Sequence, residues 1–167
     1  MSQGDGSLLM RGARIFYRNF QGREGKYNAE GDRNFCLELD QETADQLARD
    51  GWPVKKQDPR EEGDENQPYI EVRVKYGRVH RPTIYLVTTR GGVRHRRTLL
   101  NEDMVDLLDS VEIANVDLIV RPYEWAVGGK TGIKPYLKSL YLTVVEDELE
   151  AEYAELDDVP AHDDEDA

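Results

Sequence analysis

Four short stretches of this chain interleave aromatic rings with cations. They are Phe16-Tyr17-Arg18-Asn19-Phe20, Tyr69 with Arg73 and Lys75, Arg121-Pro122-Tyr123-Glu124-Trp125, and Lys134-Pro135-Tyr136-Leu137-Lys138. Rings beside cations on β-strands are what an unpaired nucleic-acid strand needs. Its exposed bases stack on the rings at about 1–3 kcal/mol each, while the cations follow its phosphates. A duplex reader more often presents a basic helix to the major groove, and both helices expected here are acidic or neutral. Stacking does not require a 2′-hydroxyl, so the residues alone leave RNA open beside DNA. The plain structural alternative is that many of these rings fill a core. Alternation assigns only one of them: Tyr69 shares the basic face of its strand.

Catalytic patterns are thin. His80, His95 and His162 are scattered, with no pair four residues apart of the kind a zinc protease carries. The single cysteine, Cys36, excludes a disulfide framework and an all-cysteine metal site. It lies in an alternating stretch and reads as a small buried apolar residue. Gly128-Gly129-Lys130-Thr131 ends like a phosphate-binding loop, but Glu124 stands where that motif needs its first glycine. The following residues alternate as a strand instead of opening a helix, so the motif fails. A metal-dependent nuclease would need carboxylates converging from different strands, with Asp117 and Glu124 as candidates. No catalytic residue, metal or cofactor is expected. A third class, an acidic DNA mimic that captures a basic protein, is kept open by the chain's end.

That end dominates the charge. The chain has 34 acidic and 22 basic residues, a formal net charge of −12. Twelve of the acids lie from Glu146 onward, where there is no Lys or Arg. The first 145 residues are therefore neutral, and the pI near 4.7 averages two different objects. Within the neutral body, residues 72–97 contain no acid but carry Arg73, Lys75, Arg78, Arg81, Arg90, Arg94, Arg96 and Arg97. Such a stretch attracts a polyanion, although basic strand faces also serve to keep sheet edges soluble. A second basic group, Arg11 to Arg33, is diluted by Glu24, Glu30 and Asp32. A polyanionic tail tethered to a cation-lined groove competes for it and, once displaced, is exposed to a basic partner. A simple solubility tag is the alternative.

The elements that must position these groups follow from 167 residues, enough for one domain and a tail but not for a barrel of about 250. The mean hydropathy of −0.73 says that part of the chain adds nothing to a core. No apolar run approaches the roughly 20 residues of a membrane span, and the start lacks the features of a secretory signal; a cytoplasmic protein is expected. Residues 1–10 read as a flexible leader, 11–145 as the body and 146–167 as a disordered acidic tail. Strands are expected at 12–20, 34–39, 69–76, 83–89, 116–127 and 133–145. In the clearest, Ile70, Val72, Val74 and Tyr76 point inward, and Tyr69, Glu71, Arg73 and Lys75 outward. Residues 83–89 are expected to pair with that strand across 77–82. The last two strands form a hairpin at Gly128-Gly129. Asp40 caps a helix that ends at Gly51, and Asn101 caps a short one burying Met104, Leu107 and Leu108. Residues 21–32, 57–68 and the basic VRHRR at 93–97 read as loops. The fold class is mainly β: an antiparallel barrel or curled sheet with two short helices.

In order along the chain, GREGKYNAEGDRNFCLEL (22–39), NVDLIVRPYEWAVGGKTGIKPYLKSLYLTV (115–144) and the acidic end resemble single-stranded DNA-binding proteins of tailed bacteriophages. The resemblance implies an OB-fold and non-catalytic coating of single strands in phage DNA replication or recombination, in the cytoplasm of the infected host. It also implies that the tail contacts replication or recombination proteins. Residue by residue it implies DNA contacts by Lys26, Tyr27, Arg33, Arg121, Tyr123, Trp125, Lys130, Lys134, Tyr136 and Lys138. The residues themselves add Arg18, Arg73, Lys75 and Arg90. VRHRR departs from the family by being more basic than the resemblance leads one to expect.

Overall fold

The computed structural model describes residues 5–26, 28–58, 65–78 and 81–145. Tyr27, His80 and the whole tail from 146 lie outside them. The described elements run β1 (Leu8–Met10), β2 (Ile15–Asn19), β3 (Arg33–Glu38), α1 (Gln41–Arg49), β4 (Lys55–Gln57), β5 (Gln67–Val74), β6 (Thr83–Arg90), β7 (Val93–Leu100), a 3-10 helix (Val105–Asp109), β8 (Asn115–Val127) and β9 (Lys130–Val145).

The fold is organised around β9, whose 16 residues are long enough to take two neighbours in succession on one edge. On its other edge β8 pairs antiparallel along the whole length. They join at Gly128-Gly129, where φ is +58° and +81°, the pair of positive values that a tight two-residue hairpin demands. β5 lies parallel to the first half of β9, with Arg73 beside Tyr136. β6 lies parallel to the second half, with Thr83 beside Ser139 and Thr89 beside Val145.

This corrects the expected hairpin between 69–76 and 83–89. The two strands run in line, not side by side, because each presents an apolar face (Ile70, Val72 and Val74; Ile84 and Leu86) to the core under β9. β6 instead finds its antiparallel partner in β7, through Gly91-Gly92. VRHRR is thus strand, not loop. The sheet follows the order β1-β8-β9-β5-β3-β2, with β4 on β5 and β7 on β6. Mainly β is right, but among the described residues no ladder joins β2 to β1, so the sheet is open, and it contains two parallel pairings.

The expected leader is shorter than ten residues. Leu8 pairs with Val120 and is 3% exposed, so burial of an apolar side chain holds 8–10 in the sheet. The core beneath the sheet contains Phe20 stacked on Phe35 at 5.4 Å, with Leu37, Ile70, Val72, Leu118, Leu140 and Leu142 sealed around them. Each such side chain contributes roughly 1.5–3 kcal/mol. The second helix shrinks to a 3-10 turn that buries Val105 and Leu108, while Met104 stays 38% exposed. Gln67 and Pro68, expected in a loop, extend β5 by pairing with β4.

The helix α1 starts and stops as its sequence implies. Asp40 accepts from the Thr43 backbone N–H at 2.7 Å and from its hydroxyl at 2.9 Å, and these bonds hold the Asp40 carboxyl below the ordinary carboxylate range. Because folding lowers this pKa, the cap's contribution is complete at neutral pH and is lost as pH falls through the folded value. Asp40→Ala is expected to cost roughly 1 kcal/mol at pH 7, and progressively less in melts at acidic pH. A cost that stays constant down to pH 2 would rule out the ionised cap.

Candidate nucleic-acid interface

In an antiparallel pair, residues directly opposite each other share a face. The register of β8 and β9 sets Arg121 opposite Tyr136, Tyr123 opposite Lys134, Trp125 opposite Gly132, and Val127 opposite Lys130. Six side chains expected to bind DNA therefore lie on one face of one hairpin: Arg121, Tyr123, Trp125, Lys130, Lys134 and Tyr136. Arg73, on the same row as Tyr136, extends this face onto β5, and Asn34 of β3 continues the row. Beyond Pro122, which faces Pro135, the hairpin has no third strand among the described residues. It projects as a two-stranded arm.

At the base of the arm the face hollows into two adjoining clefts that share Lys75 and Tyr136. One, of about 280 Å³, is lined by Lys75, Arg78, Arg121, Tyr123, Tyr136 and Leu137. The other, of about 270 Å³, lies among Arg33, Arg73, Lys75, Tyr76, Lys134 and Tyr136, with Asp32 and Glu102 as its acids. The rings of Tyr123 and Tyr136 lie 5.4 Å apart, tilted by 47°. Trp125 lies across Gly132 so closely that a Cβ there would sit 2.6 Å from the indole. Glycine at 132 is thus what lets the indole lie flat along the arm.

Of the other expected contacts among the described residues, only Arg33 joins this cluster. The Arg18 guanidinium donates to the Leu108 and Val111 carbonyls at 2.7 and 2.8 Å, tying β2 to the end of the 3-10 helix. Asp109 completes that tie by accepting from the Phe20 and Gln21 amides. Arg18 is therefore a structural clamp. Lys138 is the extra residue of a bulge, opposite the step from Ile119 to Val120, and reaches Asp5 at 3.7 Å. Arg90 is at the β6–β7 turn, and Lys26 lies in the 21–32 loop. Arg33 is in place but already engaged: it donates to the Phe20 carbonyl at 2.9 Å and pairs with Glu102 at 3.2 Å.

The sequence pattern of the phage ssDNA-binding domain family matches residues 3–166. The chain belongs to that family. Its fold is also similar to that of the single-stranded DNA-binding protein from bacteriophage Enc34, at 14% identity and a TM-score of 0.51, covering 83% of this chain and 81% of that one. The same phage protein in complex with ssDNA gives 14% identity and a TM-score of 0.53, covering 87% and 89%. Its C-terminal truncation matches at 13% and 0.51, with the same coverage of 87% and 89%. Comparison with curated proteins finds no match. At these identities the structural likeness speaks to the fold.

In this family member one inward ring also borders the interface. Tyr76 packs against the core as expected, although β5 ends at Val74. The ring lies half-buried between the guanidiniums of Arg33 and Arg81, each 5.4 Å from its centroid. Burial pushes its phenol above the ordinary range, and the hydroxyl has no hydrogen-bond partner among the described residues. The signal in the sequence is Gly77 directly after it, marking the strand end. Cys36 is half-buried, and burial followed by the nearby Glu71 raises its thiol to about 11. It stays protonated, in keeping with a packing role.

The carboxylates weighed for a nuclease do not converge. Asp117 and Glu124 lie on opposite faces of β8, and Asp117 accepts from the Gly12 amide at 2.9 Å. Among the described residues no three metal-ligating side chains cluster, and no helix is long and apolar enough to cross a membrane.

Proposed function

We propose that this chain is a non-catalytic, sequence-tolerant single-stranded DNA-binding protein acting in phage DNA replication or recombination in the host cytoplasm. The observation that carries the reading is the single face of the β8–β9 arm. There Tyr123, Trp125 and Tyr136 offer stacking surfaces between Arg121, Lys130 and Lys134, with Arg73 and Lys75 alongside. Flat rings on a ribbon with no groove-filling helix suit unstacked bases better than a duplex. The acidic tail, residues 146–167, competes with DNA for this face and is released to basic replication or recombination proteins when DNA takes its place.

The test is fluorescence anisotropy of labelled oligo-dT with the full chain and with residues 1–145, across a range of salt. With Arg73, Lys75, Arg121 and Lys134 each neutralising one phosphate, this face alone is expected to contribute about −3 to the slope of log affinity against log salt. Removing the tail should tighten binding, most at low salt. Equal affinity for the full chain and for residues 1–145 would end the competing-tail idea while leaving the arm intact. Failure of both to bind would sink the reading itself.

A further inference from the structure

A cavity of about 530 Å³ lies away from the β8–β9 arm. It lies further along the same face of β9, under the arginine-bearing strand β7. The bulge at Lys138 decides this. By simple alternation Tyr136 and Tyr141, five residues apart, would point to opposite faces. The extra residue restores phase, so Tyr136 opposite Arg121, Ser139 opposite Ile119 and Tyr141 opposite Asp117 all share one face. β6 runs in register beside this stretch and sets Tyr85 against Tyr141, the two rings stacked at 5.1 Å and 15°. From β7, Arg97 lies over the Tyr85 ring at 4.5 Å, and Arg94 sits on the same face beside Thr89. Arg11 lines the cavity from the β1 side. The one acid there, Asp117, is occupied by the Gly12 amide.

We propose that this arginine-roofed cavity is a second subsite for the same single strand, with a base stacked on Tyr141 and phosphates held by Arg94, Arg97 and Arg11. The inference rests on the single-strand reading above and extends it. The strand crosses from Tyr136 to Tyr141 along β9, roughly 15 Å, about the length of four stacked nucleotides. The basic segment VRHRR thereby gains a role as the roof of this track.

Photocrosslinking tests it on the intact chain, using an oligo-dT of about 16 nucleotides substituted with 5-iodouracil, the upper end of an OB-fold footprint. Crosslinked peptides carrying Tyr141 or Tyr85 are expected beside those carrying Tyr123 or Tyr136. Crosslinks confined to the β8–β9 arm would overturn the second subsite alone; no binding of the oligonucleotide at all would overturn the single-strand reading beneath it. Independently, Arg94→Gln with Arg97→Gln, on an exposed strand, should flatten the salt slope by about 1.4. Tyr141→Leu should weaken binding roughly 5- to 150-fold. Arg49→Gln, on α1 and lining neither cleft nor the arginine-roofed cavity, should leave the slope unchanged. Equal slopes for the β7 double variant and the α1 variant would also overturn the subsite.

Discussion

Tyr136→Ala is expected to weaken oligo-dT binding by roughly 5- to 150-fold, the equivalent of losing one base stack of about 1–3 kcal/mol. Tyr136 is the one ring that lines both clefts at the base of the arm. It also supports Tyr123, whose ring lies 5.4 Å away, so its removal frees a second stacking surface to move. Tyr136→Phe keeps the ring and should bind nearly as the parent does. The effect should persist at high salt, because stacking carries no counterion release, whereas Arg121→Gln should lose its effect as salt rises. Anisotropy titrations at two salt concentrations separate the two, with thermal melts confirming that each variant is folded. If Tyr136→Ala lost affinity only at low salt, the ring would be a spacer for its cationic neighbours and not a stacking platform.

What could be read from the residues depended on whether alternation ran unbroken. From Arg121 to Trp125 and from Lys130 to Tyr136 it does, which is why six expected contacts share a face once the glycine turn sets the register. The clue to the break after Tyr136 is small. Leu137 and Leu140 are both buried, yet three residues apart, a spacing that a regular strand cannot bury on one side. Reading that step as a bulge would have brought Tyr141 onto the face of Tyr136. Arg18 was misleading for a different reason: a guanidinium caught by two carbonyls about 90 residues away is a tertiary event, invisible in its own aromatic-rich strand. The in-line placement of β5 and β6 was equally hidden. Their shared neighbour, β9, lies more than 50 positions further on, and a short turn-like connection suggests the simpler hairpin.

Leu140→Ala is expected to cost about 2–5 kcal/mol, a large share of the 5–15 kcal/mol that holds a typical domain together. Leu140 is fully buried, opposite Leu118 on β8 and beside Ile84 on β6. It sits where three strands meet beneath the face that carries Tyr141. Leu99 offers the matched contrast. It too is a strand leucine in an apolar pair, but alternation turns it outward opposite Tyr85, and it is 58% exposed. Leu99→Ala should therefore change stability by less than about 0.5 kcal/mol. Thermal or denaturant unfolding of the two variants measures the facing of β7 and β9 directly. The same measurement bears on function, since Arg97 can roof the Tyr85–Tyr141 pair only while β7 turns its odd-numbered residue at 99 to solvent. Comparable losses from both leucines would mean that Leu99 is buried, that β7 is turned over, and that its arginines face away from the strand of DNA they are proposed to hold.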